Sequence, residues 1–504
     1  MRHRLSPVLV LALGALTAAT VGGCAKKEAP APSASAAATP VSAGDGKVPV
    51  TTASAEAKAA FLQGRDLAEK LQITDSVQHY EKAVSLDPGF ATAELNLATS
   101  APTAKEFFDH LNKAVALADK VSNGEKLLIL ATQSGANGDA VKQREQLESL
   151  VAAYPNDERA HFTLGGFYFG QQDYPKAIEH YKKATEIAPG YSTAYNILGY
   201  AYRQSADYGS AEKAFQKYIE LIPKDPNPYD SYAELLLKMG RYDESIAQYR
   251  KALSVEPNFV NAHQGIAMDL LYSGKTDQAV AETKELTKKA RSDAERRTAL
   301  FALTVVHLDA GQTAKALADV DAQYALGEKT KDVPAMAFDR GLKGLILLES
   351  GKADAAKAEF DGQMTLIDGS TMSQEIKDNA RLAHHYNLSR LALAKKDVAG
   401  AKKEADEFRK GAAAAKNPFT AKNAHELDGI IALSEKDYDK AIAELQQANQ
   451  QNPQDAYRMC QAYLGKGDKA KAAELCRRAA SFNGLPNPNY ALVRTKAKAA
   501  AGKA

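Results

Sequence analysis

The sequence predicts an all-α fold built from stacked helical hairpins, and three observations predict it. Between Glu158 and Pro257, three consecutive segments repeat one pattern, so that Gly165, Gly199 and Ala233 fall 34 residues apart. Within each segment, apolar residues recur at helical spacing on both sides of a polar break such as Gly170-Gln171-Gln172-Asp173. No stretch shows the period-two alternation of a half-buried strand.

Aligned on their last proline, the segments read as follows. The first carries Leu164, Gly165, Tyr168, Tyr174, Ala177, Tyr181, Ala184 and Pro189. The second carries Leu198, Gly199, Tyr202, Tyr208, Ala211, Phe215, Tyr218 and Pro223. The third carries Tyr232, Ala233, Leu236, Tyr242, Ser245, Tyr249, Ala252 and Pro257. Each segment reads as two antiparallel helices. Gly165 and Ala177 are small where the two helices pass closest, and the tyrosines are large where a neighbouring hairpin is met. Pro189 lacks the N–H that would continue a helix and restricts the residue before it, so the second helix stops there. One hairpin cannot bury its own apolar face, and stacking supplies a shared core. On these residues and this period the chain resembles the tetratricopeptide repeat (TPR) family. The resemblance implies a right-handed superhelical solenoid whose first helices line a concave binding face.

The chain begins with Arg2 and Arg4, followed by a short apolar run from Val8 to Leu16. Such a run is too short to span a bilayer as a mature helix and reads as a targeting signal over residues 1–23. It ends in Val21-Gly22-Gly23-Cys24, which resembles the lipobox of bacterial lipoproteins. That resemblance implies lipidation of Cys24, which anchors a soluble chain to a membrane. With Ala25 rather than Asp after it, the family's sorting rule implies the outer membrane, facing the periplasm, in a cell with two membranes. Without the leader, 62 basic residues face 62 acidic ones, and a nucleic-acid binder would show a basic excess or stripe.

Residues 24–55, rich in Ala, Pro, Ser and Thr, read as a disordered tether. Residues 56–291 read as the repeat array, strongest at 158–257. It opens with a first repeat carrying Gly64, Leu67, Tyr80, Ala83 and Pro88. Two divergent units follow, the second closing at Pro155, and after the three strong repeats a further hairpin near residues 262–290 keeps Ala267, Gly274 and Ala279 but has no closing proline. From 292 to 416 the hairpins lengthen, with turns expected at Gly311, Gly351 and Lys396, and a further turn at Lys436. Residues 417–484 return to clear repeats around Gly429, Tyr438, Leu445 and Pro453. Residues 485–504, with Arg494, Lys496, Lys498 and Lys503, read as a frayed, solvated basic tail.

Chemistry is sparse. Gly274-Lys275-Thr276 has Asp269 where a phosphate loop needs its first glycine, and no strand precedes it. His384 and His385 are adjacent and point different ways along a helix, so they cannot form a zinc-gripping i, i+4 pair. His161, His263 and His425 share one repeat position on separate hairpins and read as packing residues. Cys460 and Cys476 lie on the two helices of the last hairpin; they form either a disulfide or two buried thiols, and geometry decides. No nucleophile–base motif, dinucleotide turn, metal set or defensible acid pair is present, so no enzyme and no cofactor are expected.

The family resemblance places certain first-helix positions on the concave face. Here these are Arg159, Phe162, Gly166 and Phe169; Thr193, Asn196, Tyr200 and Arg203; and Asn227, Asp230, Glu234 and Leu237. This mixture suits an extended peptide or a partner helix. It departs from the carboxylate clamp of chaperone-adaptor relatives, because Phe162, Asn196 and Asp230 stand where the clamp's first lysine belongs. The expected function is a non-enzymatic protein-interaction scaffold anchored at the bacterial envelope through Cys24. Two alternatives stand beside it: a small-ligand or glycan receptor, and a structural part of a pilus or outer-membrane protein assembly machine. The sequence does not name the partner.

Overall fold

The computed structural model describes residues 46–101, 104–372, 374–415 and 418–502. The expected leader, Cys24 and the expected tether up to residue 45 lie outside them. Among the described residues there are 25 α-helices, one 3-10 turn at Ala118–Lys120, and no strand. They form twelve hairpins and a closing helix, and divide into two compact units at Pro223.

Unit 1 holds five hairpins. They are α1 (Ala55–Glu69) with α2 (Ile73–Leu86), α3 (Ala91–Thr99) with α4 (Ala104–Leu117), and α5 (Asn123–Ala136) with α6 (Ala140–Ala153). Then come α7 (Glu158–Gly170) with α8 (Tyr174–Ile187), and α9 (Ser192–Gln204) with α10 (Tyr208–Leu221). Unit 2 begins with α11 (Asn227–Met239) and α12 (Tyr242–Val255), then α13 (Val260–Tyr272) and α14 (Thr276–Lys289). Its longer hairpins are α15 (Asp293–Asp309) with α16 (Thr313–Thr330), α17 (Val333–Glu349) with α18 (Ala353–Asp368), and α19 (Gln374–Ala394) with α20 (Val398–Ala415). The unit ends with α21 (Pro418–Ser434) and α22 (Tyr438–Gln447), α23 (Pro453–Lys466) and α24 (Lys469–Ala480), and the single helix α25 (Pro488–Ala501).

Several hairpins are pinned at a close approach between a first-helix glycine and the residue sixteen positions later. A Cβ added at Gly165 would come within 2.9 Å of the Tyr181 ring, and one at Gly199 within 2.7 Å of Phe215. In unit 2 a Cβ at Gly344 would meet Phe360 at 2.5 Å and one at Gly429 would meet Leu445 at 2.6 Å. Tyr181, Phe215 and Phe360 are fully buried, so these pairs form the hairpin cores. The turns between helices need a left-handed residue. Gly311, Gly351, Lys396 and Lys436 occupy it at φ 72°, 75°, 63° and 63°. The two lysines carry the Cβ penalty that glycine avoids. Gly274 sits in the same kind of turn at φ 83°, between α13 and α14. Several second helices start on an aspartate cap: Asp173, Asp207 and Asp437 each accept a hydrogen bond from the backbone N–H three residues on.

Pro88, Pro155, Pro189, Pro223 and Pro257 each follow a second helix by two residues. Pro453 differs. α22 stops early at Gln447, and Pro453 is the first residue of α23, where its missing N–H is harmless.

Both chain ends depart from expectation. Residues 46–54, expected to belong to a disordered tether, pack against the hairpins, because their backbone and hydroxyls find acids at helix starts. Val48 N–H donates to Asp157 Oδ2 at 2.8 Å, and Thr51 N–H donates to Glu125 Oε1 at 2.9 Å. The tail expected to be frayed is α25, with Ala491, Val493, Arg494 and Ala497 buried. Asn487 caps it, and Pro488 opens its first turn.

Candidate partner-binding faces

In unit 1 the first helices carry most of the expected groove residues, and the unit's own chain already reaches several of them. Glu69, the last residue of α1, accepts hydrogen bonds from Arg159 Nε at 2.6 Å and Nη2 at 3.0 Å. The Glu69 carbonyl also accepts from the Thr193 hydroxyl. The Arg159 guanidinium lies 5.7 Å over the Tyr191 ring. Phe162 packs between Tyr181 and Tyr191, with ring centroids 5.5 and 5.3 Å away. Phe169 meets Tyr174 edge-on at 5.6 Å. Asn196 is fully buried; Tyr200 is buried too, its ring T-shaped against Phe215 at 5.2 Å. Arg203 is half-buried, with its guanidinium 4.6 Å from the Tyr200 ring centre. The structure thus joins Arg159, Phe162 and Thr193 into one cluster around Glu69 and Tyr191.

In unit 2, Asp230 and Glu234 lie one turn apart on α11, and both are buried. Burial, and then the Glu234 charge, push the Asp230 carboxyl well above its ordinary value.

The recurrent histidines tie hairpins together. Nδ1 of His263 lies 2.5 Å from Glu282, and Nδ1 of His425 lies 2.7 Å from Glu444. His161 meets His180 at 3.1 Å in the corresponding place. All three partners sit nineteen residues on, across the hairpin. Among the described residues no group of three or more His, Cys, Asp or Glu could hold a metal ion. No helix among them is long and apolar enough to cross a membrane.

Cys460 and Cys476 are joined as a disulfide, with Cα atoms 5.4 Å apart. They stand sixteen residues apart, the close-approach position that Gly165 and Tyr181 fill elsewhere.

Three stretches of the chain, residues 157–224, 227–259 and 265–330, match the family description "tetratricopeptide repeat". Over these stretches the chain carries tetratricopeptide repeats. Its all-α hairpin architecture is of TPR type. A comparison with curated proteins finds no match. Among solved structures, MamA protein is similar over 34% of this chain and 96% of its own, at 25% identity and a TM-score of 0.30. A TPR protein from Parabacteroides merdae ATCC 43184 is similar over 51% of this chain and 97% of its own, at 17% identity and a TM-score of 0.38. YrrB, described as a TPR protein with an unusual peptide-binding site, covers 38% of this chain and 99% of its own, at 18% identity and a TM-score of 0.27. TPR repeats support a protein-interaction scaffold, and such repeats are typically non-catalytic.

Sequence reasoning missed the residues that hold the two chain ends against the TPR hairpins. In unit 1, Glu125 is the third residue of α5 and part of a capping box with Ser122. It also accepts from the Thr92 hydroxyl at 2.6 Å and from both donors of Thr51. Asp157 caps α7 and accepts from Val48 as well. Lys47 pairs with Glu158 at 2.7 Å. Burial pushes the Glu158 carboxyl up, but Lys47 and its own backbone N–H outweigh it and hold it below its ordinary value.

In unit 2, the segment 482–496 meets a row of first-helix C-terminal ends. Lys238 of α11 lies 3.4 Å over the Phe482 ring. The hydroxyl of Tyr272, the last residue of α13, donates to Gly484 O at 3.0 Å. Arg494 donates through Nε to Asp309, the last residue of α15, at 3.0 Å. Lys496 pairs with Glu349, the last residue of α17, at 2.8 Å. Burial pushes the Asp309 carboxyl up by more than Arg494 and Lys498 pull it down. At Glu349, burial is outweighed by Arg390 and Lys496, so the carboxyl sits below its ordinary value. The readable signal was a helix without acids, carrying alanines and three cations after an Asn-Pro start.

Proposed function

We propose that this chain is a lipid-anchored, non-enzymatic TPR scaffold of the bacterial envelope that holds a protein partner through its first-helix faces. The TPR match over residues 157–330 carries the scaffold reading. Val21-Gly22-Gly23-Cys24 after a short apolar run supports the anchor, with Cys24 carrying the lipid and the outer membrane as its destination. A peptide or helix is the occupant that suits aromatic and arginine side chains such as Phe162, Phe169 and Arg203.

The anchor is tested by Cys24→Ala, which is expected to leave the membrane fraction after a salt wash; retention there would overturn it. The partner is tested by crosslinking in intact envelopes with Arg203→Glu, checked by circular dichroism for unchanged helix content. A specific protein captured by the wild type and lost from the variant supports the groove. Capture that survives the change moves the site to another face.

A further inference from the structure

We infer that the first-helix face of unit 2 is an acceptor for a cationic amphipathic helix from a partner protein, and that α25 is its built-in, displaceable occupant. This rests on the scaffold reading and says what kind of partner one face takes.

Three observations carry it. The first is position. α25 packs against α15 and α23, the first helices of hairpins four apart in the chain, as well as against its neighbour α24. A helix that only sealed the end of the stack would meet the last hairpin alone. Ala491 enters a core cluster with Leu271, Val305 and Leu308, so α25 occupies a site the TPR hairpins form together.

The second is charge. Asp309 and Glu349 end their helices, where the partial negative charge of the C-terminus disfavours an acid. Two such acids in one row are poorly placed for their own helices and well placed for a cationic guest. α25 supplies Arg494 and Lys496 to them and carries no acid of its own.

The third is the shallowness of the hold. Hairpin helices fully bury aromatic and leucine side chains such as Phe360 and Leu445, whereas α25 fully buries only alanines, Val493 and Arg494, with Leu492 half-buried against the core and Tyr490 packed on Phe482. Its main anchor is one side chain. Arg494 binds Asp309, donates to Ala480 O at 3.1 Å and Phe482 O at 2.6 Å, and lies 3.9 Å over the Tyr272 ring. An occupant held chiefly by Arg494, with alanines, Val493 and a half-buried Leu492 as its apolar stripe, is replaceable by a helix with the same arginine and larger apolar residues.

The test uses the full chain with a protease site inserted between Pro486 and Asn487, and a fluorescent peptide of residues 485–504. Anisotropy is read before and after cleavage. The peptide is expected to enter the cut chain at least tenfold more tightly than the uncut one. An Arg494→Ala peptide, or a scrambled peptide of equal charge, should bind at least tenfold more weakly. As a second host, the uncut Arg494→Ala chain should also admit the wild-type peptide, with helix content unchanged. The inference is overturned if the cut chain keeps its own helix and excludes the peptide, or if the scrambled peptide binds equally. It is also overturned if cutting unfolds unit 2, or if sedimentation shows copies exchanging helices instead. Each of these results leaves the scaffold reading, tested by partner capture, in place.

Discussion

The two ends of the described chain solve one problem in opposite ways. In unit 1, residues 46–54 lie against acids at helix beginnings: Asp157 caps α7, and Glu125 is the third residue of α5. An acid there is stabilised by the helix itself, through free N–H groups and the positive end of the dipole. The N-terminal strap therefore adds to sites that stand without it. In unit 2, α25 lies against acids at helix ends, where the dipole opposes them, so Asp309 depends on the side chain that comes to it. The strap is an accessory, whereas α25 completes a site.

The largest test of that contrast is Arg494→Ala. It removes the guanidinium bonded to buried Asp309, a change that costs about 3–5 kcal/mol when one partner of a buried pair is removed. Limited proteolysis should release the segment after residue 480 from the variant and spare the wild type. Reduction of Cys460–Cys476 comes next, because it opens the hairpin on which α25 rests. A closed loop of this length contributes about 3 kcal/mol. Melting with and without reductant should show the loss, and Cys460→Ser should reproduce it under oxidising conditions.

Acidity acts with opposite sign on Asp269 and Asp455 in unit 2 and on Glu158 in unit 1. Burial pushes Asp269, on α13, up to about 8. Between the ordinary carboxylate range and that value the unfolded chain has lost a proton that the folded chain keeps. Asp269 therefore subtracts stability as pH rises through this window. Asp455, on α23, is pushed up to about 7 by burial and then by Glu426, and acts in the same direction. Glu158 in unit 1 lies below its ordinary value, so its contribution is present above that value and lost as pH falls. Asp269→Asn is expected to raise the melting temperature at pH 8, by the equivalent of about 1–3 kcal/mol, and to do little at pH 4. Equal effects at both pH values would remove the buried proton from the account. The smallest change is Thr51→Val. It removes one hydroxyl donor to Glu125 while the capping box remains, and should cost about 1 kcal/mol in urea unfolding. A loss as large as that of Arg494→Ala would end the distinction between the two chain ends.

Much of the fold was legible because hairpin packing is local. The 34-residue step, the small residue facing a large one, and the helix-ending prolines are short-range constraints, and the turns at Gly311, Gly351, Lys396 and Lys436 fall where the pattern breaks. The cysteine pair was half legible. Its sixteen-residue spacing equals that of Gly165 and Tyr181, so the repeat register alone put both thiols at the hairpin's closest approach. The groove residues were legible as positions on first helices but not as surroundings. Neither the burial of Asn196 nor the pairing of Arg159 with Glu69, ninety residues away, follows from the repeat pattern.

The sequence by itself determined the helices, their pairing and the periodic cores, since each depends on residues fewer than about forty apart. Only the tertiary structure decided where the ends of the described residues pack within each unit. Val48 meets Asp157 and Arg494 meets Asp309 across 109 and 185 residues. Such contacts leave no period in the chain, because they follow from how successive hairpins rotate as they stack. A basic, alanine-rich tail reads as solvated until the row of acids that receives it has been assembled.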